Sequence, residues 1–365
     1  MNRVNRVIVS IDDSIVGQLA LTTDAICAFQ YNDEWLNNGF SISPFELPLQ
    51  KGVFLAKRTP FNGNFGVFDD SLPDGWGMLL LDRLIRLKGY TPNTISILEL
   101  LAFVGSNGRG ALTFQPNYSS VDTNEKINFL SIESEINNLL SSDSSDNTSI
   151  EELWKRGGSP GGARPKIFAK FNDCEWLVKF PAKYDDSNIG KKEYNYSLLA
   201  KKCGIEMPET RLFENRFFGV KRFDRDIKGK RYHTVSAAGL LGADYRTPAL
   251  DYVQLIKLTR ILTSNESEAW KMFRLMTFNY LIGNKDDHAK NFSYIYKDNK
   301  WQLSPAYDLL PSDGFNGYHT TTFNGNITPS DKDIIQVAIK GGLDERKAKK
   351  TLEDIKGIIN EWIDV

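Results

Sequence analysis

The hydrophobic pattern of this 365-residue chain changes period near residue 235, and that change restricts its fold more than any other feature. Before it, short apolar runs bounded by polar turns dominate, the mark of strands. After it, apolar residues recur at helical spacing. Ile167-Phe-Ala-Lys-Phe171 and Trp176-Leu-Val-Lys-Phe180 read as a hairpin about Asn172-Asp173, and Phe217-Phe-Gly-Val-Lys-Arg-Phe223 as a further strand. One helix is expected among them, over residues 191–203. Beyond the change, helices are expected over Asp251–Thr263, Glu266–Gly283, Asp331–Lys340 and Glu345–Trp362. This divides the second half into a β-rich lobe, 150–225, and an α-helical lobe, 226–365.

The first third reads as a smaller α+β unit, residues 1–116. Val7-Ile-Val-Ser-Ile11 and Gly52-Val-Phe-Leu-Ala56 have strand character. Ser71-Leu-Pro-Asp-Gly-Trp76 opens an amphipathic helix that Gly89 ends, and a second helix covers Ile95 to Phe103. Gly105-Ser-Asn-Gly-Arg-Gly110 is a turn before a strand through Ala111–Phe114. Residues 117–149 are poor in apolar side chains and have linker composition, interrupted by one helix near 131–140. With 41% hydrophobic and 25% charged residues and a net charge of −1, the chain is an ordinary globular one, with no global basic field to draw it to nucleic acid or membrane. Three isolated cysteines suit a reducing cytoplasm better than a disulfide framework. No run approaches the roughly 20 apolar residues of a membrane span.

The chemistry concentrates in Asn284-Lys-Asp-Asp-His-Ala-Lys-Asn291 and Leu303-Ser-Pro-Ala-Tyr-Asp308. Asp286 precedes Asn291 on one segment, and Asp308 follows after a short aromatic-rich connection. Protein kinases space a catalytic Asp, a metal-binding Asn and a metal-binding Asp in this way. The first carboxylate orients or deprotonates a substrate hydroxyl; the other two side chains offer hard oxygen ligands to magnesium. His288 lies inside this segment and is expected to shape the loop or approach a nucleotide. His233 and His319 stand alone, and surface or turn positions are expected for them.

Three upstream features fit nucleotide phosphates. Gly157-Gly-Ser-Pro-Gly-Gly-Ala-Arg-Pro-Lys166 sits just before the first strand of the β lobe, where glycines let backbone amides approach phosphate oxygens; by residues alone it is equally a flexible turn. It is not a Walker A loop. Lys179, inside an apolar strand, faces either solvent or phosphate, and Glu193 on the next helix is its candidate ion-pair partner. Gly219-Val-Lys-Arg-Phe-Asp-Arg225 occupies the place of a hinge whose backbone could meet an adenine edge. A mainly β lobe ahead of a mainly α lobe suits a nucleotide cleft between the two.

Together these segments resemble the HipA family of serine/threonine kinases, the toxin halves of bacterial toxin–antitoxin pairs. The resemblance covers nearly the whole chain. Leu72-Pro-Asp-Gly-Trp76 and Phe103-Val-Gly-Ser-Asn-Gly-Arg-Gly-Ala-Leu112 are similar to the family's N-terminal subdomain; the glycine loop, the Lys-Arg-Phe-Asp-Arg hinge, Asp-Asp-His-Ala-Lys-Asn-Phe and Ser-Pro-Ala-Tyr-Asp are similar to its kinase core. It implies an α+β, bilobal, protein-kinase-like fold with an N-terminal α+β subdomain, a β-rich lobe and a mostly helical catalytic lobe. It implies ATP and Mg2+ as cofactors, Asp286 as the catalytic Asp, and Asn291 and Asp308 as metal ligands. ATP would be held by Pro160, Gly161, Gly162, Ala163, Arg164 and Lys166 of the loop, by Lys179, by Lys221, Arg222 and Phe223 of the hinge, and by His288, Lys290 and Tyr307. Ser159 matches the loop serine that family members autophosphorylate, which would eject the loop and switch the kinase off. The implied substrate is a translation factor such as an aminoacyl-tRNA synthetase. The implied partner is a helix-turn-helix, HipB-like antitoxin, with DNA contacted only indirectly, in the cytoplasm. Two departures stand out: Arg164 replaces the commoner Gln, and Asp287 stands where Gly is often found, as a structural residue or a further metal ligand. A small-molecule phosphotransferase and a non-catalytic transcriptional co-regulator are the competing readings.

Overall fold

The computed structural model describes residues 3–119, 127–141, 147–157, 162–314 and 316–363. They form two compact units, residues 1–191 with 210–233, and residues 192–209 with 234–365.

The first unit holds two antiparallel sheets. One has the order β4-β3-β2-β1-β5, built from β1 (Arg6–Ile11), β2 (Ser14–Leu21), β3 (Cys27–Tyr31), β4 (Val53–Leu55) and β5 (Leu112–Gln115). Val7 and Val9 alternate into its core, as period two requires. Around it lie α1 (Asp33–Asn38), α2 (Gly66–Asp69), α3 (Gly75–Leu87) and α4 (Ile97–Val104). A reciprocal Ser96–Glu99 capping box starts α4. The other sheet, β6-β7-β9-β8, comprises β6 (Lys166–Phe171), β7 (Cys174–Lys179), β8 (Thr210–Phe213) and β9 (Phe217–Lys221). Asn172 and Asp173 both take positive φ, 48° and 57°, and so make the tight β6–β7 turn expected from the sequence.

Helices α5 (Phe129–Ser141) and α6 (Asn147–Gly157) pack on this second sheet. Helix α6 was not expected: linker composition hid it, and strand signals were read from residue 150 onward. Its Ile150, Leu153 and Trp154 fall on one face and are buried. Trp76, Leu80, Leu81, Leu84 and Ile85 of α3 share that core with Ile136, Ile167, Val178 and Phe217. A helix from the N-terminal third is therefore built into the core of the 166–221 sheet. Each such buried side chain contributes about 1.5–3 kcal/mol.

Helix α7 (Ile189–Lys202) leads into the second unit, which contains α8 (Ala237–Leu241), α9 (Tyr252–Thr263), α10 (Glu266–Ile282), α11 (Asp331–Lys340) and α12 (Glu345–Ile363). The four long helices expected here are present within a residue or two at each end. Asp251 and Gln254 form the capping box of α9, and Gly283, at φ 68°, ends α10 in the left-handed region. Against these helices lie the β10-β12-β13 sheet, from β10 (His233–Ser236), β12 (Ser293–Lys297) and β13 (Lys300–Leu303), and a parallel pair, β11 (Leu250–Asp251) with β14 (Thr321–Thr322). No helix among the described residues is long and apolar enough to cross a membrane.

Candidate active site

The segment 284–291 leaves the end of α10 and returns into β12, so both ends are anchored in regular structure. Four contacts bind it, and the Gly283 that precedes it, to the segment that follows β13. The Asn284 side-chain amide donates to the Asp308 carbonyl at 3.2 Å. The Asp286 amide donates to Ser312 Oγ at 2.8 Å, the Ser312 amide to the Gly283 carbonyl at 3.1 Å, and the Tyr307 hydroxyl to the Lys290 carbonyl at 2.7 Å. Asp286, Asn291 and Asp308 thus sit on two segments tied directly to each other. Asp308 adopts φ 54°, a left-handed conformation that Asp tolerates better than most residues.

Asp286 and Asp287 are neighbours with opposite fates. The Asp286 side chain is 67% exposed, with His288 Nε2 at 3.9 Å from its carboxylate. The Asp287 side chain is fully buried. Its carboxylate accepts from the Tyr252 hydroxyl at 2.9 Å, His319 Nδ1 at 2.9 Å, and the amides of Thr320 and Thr321 at 2.9 and 3.1 Å. Its carbonyl also accepts from the Thr321 hydroxyl. Four donors fill the acceptor sites of a carboxylate. The network continues from the Tyr252 hydroxyl to Asn279 at 3.1 Å and from Asn279 to Asn284 at 3.1 Å. Burial, and then the Asp287 charge, push the Tyr252 phenol well above its usual range. Asp287 is a structural anchor. His319, expected on a surface or turn, is 5% exposed and belongs to this anchor; His233, expected likewise, is 2% exposed and bonds the Ile42 carbonyl at 2.8 Å. Histidine spacing carries no information about burial, so neither position was legible.

The amide of Asn291 fixes its own orientation. Its Nδ2 lies 2.7 Å from the Asp286 carbonyl, an acceptor, so the nitrogen must point there and the side-chain oxygen is the atom left for a cation. With the carboxylate of Asp308, that gives two hard oxygen donors. This fits magnesium, which takes one or two protein ligands and completes its shell with phosphates and water. No group of three or more His, Cys, Asp or Glu side chains that could hold a metal occurs among the described residues. Lys290 lies over the Tyr245 ring at 4.0 Å, and Tyr307 also bonds Ser293 at 2.6 Å.

In the first unit, Lys179 ends β7 opposite Lys166 on β6. Both are buried, at 9% and 3% exposure, and the Lys179 ammonium lies 5.7 Å from the Phe218 ring centre. The two lysines are cross-strand partners at one end of the β6–β7 pair. Glu193, on α7, is buried at 4% exposure. Ser159, Pro160 and Gly161 lie outside the described residues. Gly162, Ala163, Arg164 and Lys166 are described, and Arg164 forks onto Asp185 at 2.8 and 3.1 Å.

The hinge residues are differently engaged. The Arg222 guanidinium is bidentate to Asp224 at 2.9 and 2.7 Å, reaches Glu175 at 3.2 Å and the Gly108 carbonyl at 3.2 Å, and lies over the Phe168 ring at 4.3 Å. Its backbone amide pairs with the Glu175 carbonyl. Asp224 accepts from the Gly110 amide at 2.7 Å, and Arg225 donates to the Gly110 carbonyl at 2.6 Å. Burial works against the Asp224 charge, but Arg222 and Arg225 outweigh it and hold the carboxyl below its ordinary range. This ion cluster seats the Gly105–Gly110 turn beside the strand that ends at Lys221 and Phe223. Sequence reasoning missed Asp224, because charge alone does not reveal which carboxylates will be sandwiched.

Comparison with known proteins places this chain in a family. The model of the HipA-like C-terminal domain matches residues 158–362, and that of the HipA N-terminal domain matches residues 7–115. The chain belongs to the HipA family. The solved HipA of Shewanella oneidensis, in a complex with HipB and its operator DNA, superposes with a TM-score of 0.73 over 98% of this chain and 90% of that HipA chain, at 21% identity, which establishes the HipA fold. The sequence of a serine/threonine-protein kinase toxin HipA from that organism is 25% identical over 84% of this chain and 75% of its own length. A candidate kinase of Sinorhizobium fredii, Y4dM, is 28% identical over 50% of this chain. The chain spans about half the length of the first curated relatives it matches, 51% and 54%.

Proposed function

We propose that this chain is an ATP- and magnesium-dependent serine/threonine-protein kinase that acts as a growth-arresting toxin. The observation that carries the reading is the 284–291 segment. It exposes Asp286, commits the Asn291 side-chain nitrogen to the Asp286 carbonyl so that its oxygen is the atom left for a cation, and is bonded directly to the Asp308 segment. Asp286 would take the proton of a substrate hydroxyl as its oxygen bonds to the γ-phosphorus and the bond to the ADP oxygen breaks. Bound magnesium, held by Asn291 and Asp308, would neutralise phosphate charge. Lys179 and Lys166 would hold phosphate oxygens, with Glu193 orienting Lys179. The 160–166 loop would cover the phosphates, and the 221–223 backbone would meet the adenine edge while the Arg222 side chain braces the hinge. His288 Nδ1, buried without a hydrogen-bond partner among the described residues, is a group that a bound ligand could satisfy.

The HipA toxin of Shewanella oneidensis and the complex of a HipA with HipB and operator DNA support a toxin role and a HipB-like antitoxin that would carry the DNA contact. Inactivation by autophosphorylation at Ser159 and a translation-factor substrate such as an aminoacyl-tRNA synthetase are further parts of the proposal, taken from the family resemblance. The test is incubation with labelled ATP and magnesium, alone and with a lysate, beside Asp286→Ala and Asp308→Ala. Label on the chain and on one lysate protein, absent in both variants, is expected. Near-normal transfer by either variant would refute the site assignment. Label persisting in Ser159→Ala would refute the autophosphorylation site. ATP binding with no protein labelled would favour a small-molecule phosphotransferase.

A further inference from the structure

Residues 162–166 are gripped from outside their own sheet. Asp74 occupies the N-cap position of α3, where an Asp carboxylate ordinarily accepts an amide of its own helix. Here it makes no such cap. It accepts instead from the Gly162 amide, 88 residues along the chain. The Trp76 amide donates back to the Gly162 carbonyl at 3.1 Å, and the Trp76 indole N–H donates to the Lys166 carbonyl at 3.2 Å. Gly75, at φ 42°, passes so close that a Cβ there would lie 2.6 Å from the Gly162 oxygen and 2.8 Å from Ala163 Cα. Three hydrogen bonds and one backbone-to-backbone contact therefore bracket residues 162–166 at both ends. Trp76 is itself 2% exposed within the core shared by α3 and the second sheet, so the grip is mounted on a rigid base.

We propose that the Asp74–Gly75–Trp76 turn is a clamp that holds residues 162–166 in place for phosphate binding, so that the N-terminal third sets how tightly nucleotide is held. Asp74 and Trp76 are positioning residues. They act through the loop backbone, which places the loop amides and the Lys166 ammonium for phosphate. The inference rests on the kinase reading for its ligand but not for its geometry. A helix cap diverted to another segment has no use in stabilising α3, and its effect falls on the loop.

The experiment is hydrogen–deuterium exchange of residues 162–166 in the nucleotide-free full chain, followed by ATP kinetics, for Asp74→Asn, Asp74→Ala and Trp76→Phe. Trp76→Phe keeps an aromatic ring in the core and removes the indole N–H; Asp74→Asn keeps the shape and weakens the acceptor. A lost hydrogen bond to a charged group corresponds to roughly tenfold or more in an opening equilibrium. Loop amides are expected to exchange about tenfold faster, with an unchanged melting temperature for Asp74→Asn, an ATP KM raised about tenfold, and kcat within about twofold. Unchanged loop exchange in all three variants would overturn the clamp. Faster exchange with unchanged KM would overturn its role in nucleotide binding. If the unaltered chain bound no ATP, the kinase reading would fall, and the exchange result, taken without nucleotide, would still decide whether the clamp exists.

Discussion

The two loops that carry the proposed chemistry are held in opposite ways. Segment 284–291 is fixed from inside by a buried carboxylate with four donors, and by an amide–phenol chain running back to α10. Segment 162–166 is fixed from outside, by hydrogen bonds between its backbone and Asp74 and Trp76 and by the partly exposed Arg164–Asp185 pair. Removing a buried polar anchor costs several kcal/mol because its partners are left unsatisfied. Removing a surface pair costs little. Segment 284–291 is thus anchored mainly by buried groups, and segment 162–166 by contacts that include a partly exposed ion pair.

The largest break expected is Asp287→Ala. It strands Tyr252, His319 and two amides in the interior and should lower unfolding free energy by about 4 kcal/mol. Chemical denaturation measures this, and a loss below about 1 kcal/mol would mean that the loop is not anchored through this residue.

Acid probes the first unit separately. Burial lowers His233 from 6.5 to about 4. The unfolded chain therefore gains a proton near pH 6.5, while the folded chain resists until about pH 4. Stability from this group is complete above pH 6.5 and falls as pH drops toward 4, by about 3 kcal/mol in total. Melting temperatures across that window should flatten in His233→Asn; an unchanged slope would exclude His233 as the source.

A smaller effect is expected for Tyr252→Phe, which removes one donor to the Asp287 carboxylate and should cost about 2 kcal/mol. The smallest is Arg164→Gln, with a stability change under about 1 kcal/mol but faster exchange in segment 162–166. A loss as large as that of Asp287→Ala would erase the contrast between the loops.

Periodicity made the four long helices of the second unit legible to within a few residues, and the Asn172-Asp173 pair announced its hairpin. The β12–β13 hairpin was hidden in a region read as helical, although Asp298 and Asn299 take the positive φ of the same kind of turn. Helix α6 was obscured by a polar neighbourhood, although Ile150, Leu153 and Trp154 have helical spacing. Asp286, Asn291 and Asp308 could be singled out because their chemistry demands those residue types at short separations. Asp74 and His319 could not, because their partners Gly162 and Asp287 lie far away in the chain, and Asp224 could not, because its burial beside the Gly108–Gly110 turn is set by the fold.

By itself, the sequence determined the order of strand-rich and helical tracts and the set of oxygen donors near residues 286–308, since both follow from local period and local chemistry. Only the tertiary structure decided which of two adjacent aspartates faces solvent and which is buried. The donors that make burial of Asp287 tolerable come from Tyr252, His319, Thr320 and Thr321, more than thirty residues away on either side. A buried charge is stable only where such partners converge, and convergence is a property of the folded chain.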